Sequence, residues 1–410
     1  MSENPRFDVT IIGAGIAGSA LAGVLSGHGL SIALVEGQPL AAAETAIESE
    51  SERTVSGFDA RVSALTPNSQ ALLSSIGAWD GIAAQRVCPY RHMTVWDADG
   101  TGIIEFDCAD VSVPELGHIV ENRVIVNALL GRVRNAKDIT VFNPARLAMC
   151  SVLESGGCQV ELEDGRRFLT GLLVAADGAL SKVRTLLEFE TREWDYGHRA
   201  IVATVQLEHS HQATAWQRFL PTGPLAFLPL PQVGGLHYCS IVWSLEEGLV
   251  DDLLALDEAD FCAQLEVAIE SRLGKIRACS QRFAFPLRQR HAVDYVRTGV
   301  ALLGDAAHTI HPLAGQGINL GLQDVSVLAQ EILGACAQGI DPGELAVLKR
   351  YQRRRKGENL AMMVAMDGFK ALFAQRALPI RWLRNAGMRG VDRVSPVKQQ
   401  LMRHAMGIGR

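Results

Sequence analysis

"FDVTIIGAGIAGSALAGVLSGHGLSIALVEG", residues 7–37, decides the fold. Val9 to Val35 contains no Asp, Glu, Lys or Arg, a length that could span a bilayer. Six glycines (13, 15, 18, 23, 27 and 29) break it into an apolar β run, a small-residue helix and a second β run. The spacing predicts a strand over 7–12, a helix over 16–27 and a strand over 31–35: a βαβ unit, not a membrane span. Gly13, Gly15 and Gly18 form GxGxxG. The first permits a tight turn, the second lets a phosphate approach bare backbone, and the third lets helix and sheet touch. The helix N-terminus offers unpaired N–H groups to a pyrophosphate. Glu36, ending the second strand, suits ribose hydroxyls and disfavours a 2′-phosphate, so FAD or NAD fits better than NADP.

Two later segments extend the pattern. "FLTGLLVAADGALSKVR" (168–184) reads as a strand ending in Asp177-Gly178. "ALLGDAAHTIHPLAGQGINLGLQDV" (301–325) reads as a buried strand ending in Gly304-Asp305, then a proline- and glycine-rich loop, then a helix from Gly317. Bare backbone there can approach a planar ring, and the helix dipole can stabilise negative charge on it. His308 and His311 lack a neighbouring third ligand, so a loop-shaping role is favoured over a metal site.

The rest bounds the function. In 410 residues, 48% are hydrophobic and the net charge is −6, which does not suggest a nucleic-acid binder. The charge is uneven: from Lys349 onward fifteen Lys/Arg face three acids, a local net of +12. That basic, helically patterned tail suggests docking on an anionic membrane surface or an acidic partner, or else a solvated basic face. If it docks, reversing the charges of Arg353, Arg354 and Arg355 should weaken binding. Eight scattered cysteines form no CxxC pair, as expected of free thiols in a cytoplasmic chain. Residues 44–53, "ETAIESESER", read as a solvated acidic loop. Residues 90–115 and 199–290 alternate as an antiparallel sheet, whose Phe219, Phe227, Pro229 and Trp243 either line an apolar pocket or pack a core.

Taken together, GxGxxG, the Asp-Gly segment and "GDAAH…HPLAGQGINLGLQD" resemble the FAD-dependent aromatic hydroxylases, the class A flavoprotein monooxygenases. "HPLAGQGIN" is similar to the signature of their ubiquinone-biosynthesis branch. "GHIVEN", "WDYGHRAIVAT", "AFLPLP", "CSIVWSL" and "YQRRRK" resemble the bacterial 2-polyprenylphenol hydroxylases of that branch, which act at ring C5. The resemblance implies an α/β fold: a Rossmann-like FAD-binding domain (1–86, 116–195 and 291–345), an inserted antiparallel β-sheet substrate domain (87–115 and 196–290) and a helical C-terminal region (346–410). It implies that Gly13, Gly15, Gly18 and Glu36 hold the ADP half of FAD, with Arg61 near the phosphates. Asn122 falls where the family usually has Arg or Gln beside the flavin. Asp177 would serve FAD and the nicotinamide donor, Asp305 the ribitol chain, and the backbone of Gly317, Ile318 and Asn319 the pyrimidine edge. Pro312 would turn its carbonyl toward substrate.

The implied reaction hydroxylates the aromatic ring of a polyprenylphenol with NAD(P)H and O2, through a flavin C4a-hydroperoxide. No general base is expected, because exclusion of water matters more. The enzyme would be cytoplasmic, or peripheral on the inner face of the membrane, where such a substrate resides. Two alternatives use the same cofactor domain: an FAD-dependent isoprenoid reductase or dehydrogenase, and a non-catalytic FAD-containing scaffold of a biosynthetic complex.

Overall fold

β1 (Arg6–Ile12), α1 (Ile16–Leu25) and β2 (Ile32–Val35) form the expected parallel βαβ unit in a computed structural model describing residues 4–40, 54–309, 317–375 and 377–407. The helix stops two residues before the predicted 27. Ser26 Oγ and Gly27 N–H both donate to the Asp138 carboxylate, at 2.7 and 2.6 Å, and Gly27 turns to φ +82°. The acidic segment 44–53, His311 and Pro312 lie outside the described residues.

β2 pairs with β8 (Ile139–Phe142), β1 with β11 (Arg167–Ala175), and β11 with β19 (Val300–Leu302), all in parallel. β18 (Val296–Arg297) closes one edge antiparallel, while β9 (Leu147–Val152) and β10 (Cys158–Leu162) extend from β11. Nearly continuous Ile, Leu, Val and Ala in β1, β2 and β11 are what a sheet buried on both faces requires. α1 packs against both α4 (Asn122–Asn135) and α8 (Gly317–Ala337), and these helices with the parallel strands form the largest apolar core.

A second sheet runs β20 (His308–Thr309), β17 (Phe283–Ala292), β12 (Thr191–Leu207), β15 (Leu236–Glu246), β14 (Gly223–Val233), β13 (Thr214–Leu220), β5 (His92–Asp97) and β6 (Ile103–Asp107), with β16 (Ile276–Cys279) also on β12. The reading of 90–115 and 199–290 as one antiparallel sheet needs two corrections. β13 and β5 are parallel, because a chain segment from far upstream is laid against that edge. Within 247–268 the chain is helical: α6 (Glu247–Ala255) and α7 (Glu258–Ala268), the latter capped by Asp257 accepting the Asp260 N–H at 2.8 Å. Phe261 and Leu265, one helical turn apart, bury against the sheet.

A small sheet of β3 (Val62–Leu65), β7 (Gly117–Glu121) and β4 (Val87–Tyr90) lies between the two large ones; α2 (Pro67–Ser75) and α3 (Trp79–Ala83) follow β3. α5 (Lys182–Leu186) follows β11. The chain continues as α9 (Leu345–Ala374), α10 (Leu378–Arg393) and α11 (Ser395–Met406). No helix among the described residues is long and apolar enough to cross a membrane.

Candidate flavin site

Four neighbouring parallel strands end at one level. Ile12 is in register with Val35 and with Ala175, and Ala175 with Leu302. The next residues are therefore Gly13, Glu36, Ala176-Asp177 and Leu303-Gly304-Asp305. Segments far apart in sequence meet along one carboxyl edge, where doubly wound sheets bind ligands. Backbone bonds fix the meeting: Gly13 N–H donates to Val35 O (2.8 Å), Ala176 N–H to Ile12 O (2.8 Å) and Leu303 N–H to Ala175 O (2.9 Å).

The three glycines have different tasks. Gly13 has φ +103°, and a Cβ there would stand 2.4 Å from Ala176 O. A Cβ on Gly18 would stand 1.9 Å from Gly13 O. Both positions are closed to any side chain by backbone. A Cβ on Gly15 meets nothing within 4 Å: it would project into open space at the start of α1. No side chain caps that helix and no acid sits in its first turn, so its amides stay available to an anion. Glu36 closes the loop, Oε2 accepting Ala14 N–H and Oε1 accepting Gln38 N–H, both at 2.8 Å. Each oxygen keeps a lone pair for a ribose hydroxyl.

Asp177 Oδ2 accepts the N–H groups of Lys182 (2.7 Å) and Val183 (3.2 Å), while its Oδ1 is buried without a partner. Such an orphaned acceptor matches a hydroxyl-bearing ligand. Arg184, almost wholly buried, donates to Ala179 O at 2.6 Å and to Ala306 O at 2.8 Å, tying the Asp-Gly turn to the Gly-Asp segment. Asp305 opens to solvent yet is closely surrounded. Burial pushes its carboxyl above the usual range, with His308 and Arg61 pulling the other way. Arg61 is exposed, its guanidinium 6.0 Å from the Phe285 ring. Asn122 begins α4 and accepts the Ser63 hydroxyl at 2.7 Å. Gly317 and Ile318 open α8. The Asn319 side chain is spent on structure: Nδ2 donates to Ala64 O (2.7 Å), and Oδ1 accepts from Thr66 N–H (3.0 Å) and Ser69 Oγ (2.7 Å). Its backbone alone is left for the role the resemblance implies.

Sequence reasoning missed the network behind this edge. Asp324, buried in α8, accepts from His308 Nε2 (2.5 Å), Arg355 Nε (2.6 Å) and Gly304 N–H (3.3 Å). Arg355 also reaches Asn359 (3.0 Å), which contacts the Tyr295 hydroxyl, itself 3.1 Å from His291 Nε2. Burial alone would raise the Asp324 carboxyl, but His308 and Arg355 hold it below its ordinary value. His308 thus ties the segment after β19 to α8. No cluster of three metal-capable side chains occurs among the described residues. The one signal in the sequence was an aspartate at helical spacing between Leu320 and Leu328, on the apolar side of the run.

Two expectations are corrected. Arg355 is 2% exposed, so it belongs to the core and not to a docking face; Arg354 is paired with Glu331 at 3.0 Å. Strand parity overturns the pocket reading for Phe227 and Trp243. They share a face with Ile201, Leu225 and Ile241 and pack under α6 and α7. The opposite face carries Ala200, Val202, Ala226 and Val242, and with them Phe283 and Phe285, 37% and 39% exposed on the side where Arg61 lies. Phe219 is on this second face but stacks beneath Phe373 of α9, with centroids 3.8 Å apart. Pro229 is buried in β14.

The fold recurs in known proteins. A family profile described as FAD binding domain matches residues 6–365. The sequence is 35% identical to 3-demethoxyubiquinol 3-hydroxylase of Escherichia coli over the full length of both chains. It is 37% identical to ubiquinone hydroxylase UbiL of Rhodospirillum rubrum, over 98% of this chain and 89% of that one. This chain belongs to the FAD-dependent ubiquinone-biosynthesis hydroxylases. The hydroxylase also superposes on p-nitrophenol 4-monooxygenase PnpA from Pseudomonas putida with a TM-score of 0.76, covering 99% of this chain and all of that one; at 16% identity this shows the fold alone. FAD is its cofactor, and NAD(P)H is the electron donor typical of the class.

Proposed function

We propose that the hydroxylase adds an oxygen atom to the aromatic ring of a polyprenylated phenol in ubiquinone biosynthesis, using NAD(P)H and O2. The observation that carries this reading is the shared carboxyl edge, with the Gly15 opening, the unpartnered Asp177 Oδ1 and Asp305 along it, facing a sheet surface of small apolar residues and two exposed phenyls. Bound FAD supplies the redox and oxygen chemistry. The chain's own residues do the rest. Amides at the start of α1 and the Arg61 guanidinium hold the diphosphate, Glu36 the adenosine ribose, and Asp305 with Asp177 the remaining hydroxyls. Backbone amides from Gly317 to Asn319 favour negative charge on the ring system. Phe283, Phe285, Val202, Val242 and Ala226 keep water from the reacting faces. In this reading the cofactor-binding part spans 1–86, 116–195 and 291–345, the substrate part 87–115 and 196–290, and 346–410 follows as a helical region.

The test supplies isotopically labelled O2 and NADH or NADPH to the purified holoenzyme with a short-tailed polyprenylphenol. Mass analysis is expected to find the label in the ring product, with C5 as the ring position that the resemblance implies. Donor oxidation yielding only unlabelled product would overturn the reading.

A further inference from the structure

α10 turns two polar residues toward the protein: Arg384 and Asn385 are 4% and 6% exposed, and both bind Asp97, with Arg384 Nη2 at 2.6 Å and Asn385 Nδ2 at 2.8 Å. Asn385 Oδ1 accepts the Gly102 N–H at 2.5 Å. Glycine is required opposite it, since a Cβ on Gly100 or Gly102 would stand 2.4 or 2.6 Å from the Asn385 amide. The orientation of α10 is therefore fixed by a buried ion pair and close backbone approach; Met388 packs inward beside Phe219, and larger apolar residues are left outside. Leu378, Trp382 and Leu383 are 74%, 66% and 62% exposed. Val394, Val397 and Leu401, at and beyond the turn into α11, are 46–50% exposed. Exposed Arg389 and Arg393 lie two and three turns along α10 from Trp382, and exposed Arg403 lies on α11.

We infer that this face of α10 and α11 seats the enzyme on an anionic phospholipid surface, with Trp382, Leu383 and Leu378 entering the acyl boundary and Arg389, Arg393 and Arg403 meeting headgroups. Large apolar side chains exposed together, one of them tryptophan, and interleaved with arginine fit a bilayer interface better than water. Charge complementarity selects the partner: residues 378–406 carry six Lys/Arg against one acid, a net of +5, although the whole protein is −6. The docking face is distinct from the arginine run 353–355 and follows directly from the end of α9, where Phe373 covers the second sheet at Phe219. The inference rests in part on the proposed substrate: a polyprenyl tail resides in the bilayer, and docking here places the enzyme beside it.

The test is co-sedimentation of the full-length holoenzyme with vesicles of phosphatidylcholine alone and of phosphatidylcholine with phosphatidylglycerol. Wild type is expected to partition onto the anionic vesicles. Substitutions W382S and L383S together should lower that partition at least about tenfold, given the apolar area withdrawn. R389E with R393E should abolish the preference for phosphatidylglycerol. These side chains are exposed, and bound-flavin absorbance with far-ultraviolet circular dichroism verifies that each variant is folded. Wild type remaining in solution with both vesicle types overturns the inference, as does equal sedimentation of the W382S/L383S variant. A dimer in sedimentation velocity that the same variant dissolves, with no vesicle binding, would assign the face to a second copy of the chain. Oxygen incorporation into a short-tailed, water-soluble phenol is measured on the same samples. It persists if docking alone fails and is absent if the hydroxylase reading fails.

Discussion

The carboxyl edge of the parallel sheet and the C-terminal helices use the same residue types in opposite ways. At the sheet edge, apolar strands are buried, and glycines and carboxylates stand at their ends, where a ligand would come. In α9 and α10 one arginine each goes inward: Arg355 and Arg384 are 2% and 4% exposed, each against a buried aspartate, while Trp382 and Leu383 face outward. The difference teaches that local pattern positions a side chain only while the rest of the fold makes no competing demand. Strand alternation and glycine spacing are local demands. A buried charge waiting on another element is a competing one, and it can rotate a helix against its own hydrophobic pattern.

The largest effects should come from breaking buried partners. Asp324→Ala takes the fully buried carboxylate from both His308 and Arg355, leaving Arg355 only its half-buried ion-pair partner Glu358, and is expected to cost about 3 kcal/mol in urea unfolding. A smaller loss would place the Gly-Asp segment under other control. Phe227→Ala, emptying a site under α6 and α7, should cost a similar ~3–5 kcal/mol. Phe285→Ala should cost under ~1 kcal/mol yet raise KM for the phenol; equal stability losses would refute the assignment of faces.

The two glycines sharpen the contrast within one motif. Gly18→Ala forces Cβ onto Gly13 O and should destabilise the apo-protein by ~1–3 kcal/mol. Gly15→Ala, facing open space, should leave apo stability within about 0.5 kcal/mol while weakening FAD binding roughly tenfold, as read by flavin fluorescence titration.

A further effect is spread over a range of pH. Burial pushes His291 down to about 4, with the neighbouring His308 adding to the shift. The unfolded chain binds that proton more readily, so stability falls as pH drops below about 6.5, by up to ~1.4 kcal/mol per pH unit, until His291 itself protonates. Asp324, held below its ordinary value, adds a further loss at lower pH, below about 4. Thermal unfolding from pH 7 to 4 should show this acid limb, and His291→Gln should flatten its upper part. An unchanged slope in that variant would remove His291 from the account.

Much of the site was legible because its signals are short-range. GxGxxG, Glu36, Asp177 and Asp305 each begin within three residues of a strand's end, and a run of apolar residues ending in glycine or a carboxylate can be read without knowing its neighbours. Phe227 and Trp243 were not legible in this sense. Both sit in alternating strands, but alternation says only that faces differ, not which face α6 and α7 will cover. The role of Asp324 depends on residues 16 positions upstream and 31 downstream. The run 353–355 looks uniformly basic, and only packing against α8 separates buried Arg355 from exposed Arg353.

By itself the sequence determined the βαβ unit, the strand-end chemistry and the charge of the tail, because chain geometry and side-chain ionisation are local properties. Only the tertiary structure decided which strands ended side by side, which sheet face met the cofactor edge and which arginines were withdrawn from water. Those outcomes depend on desolvation and close packing between segments hundreds of residues apart, and the balance of those forces exists only once the segments have met.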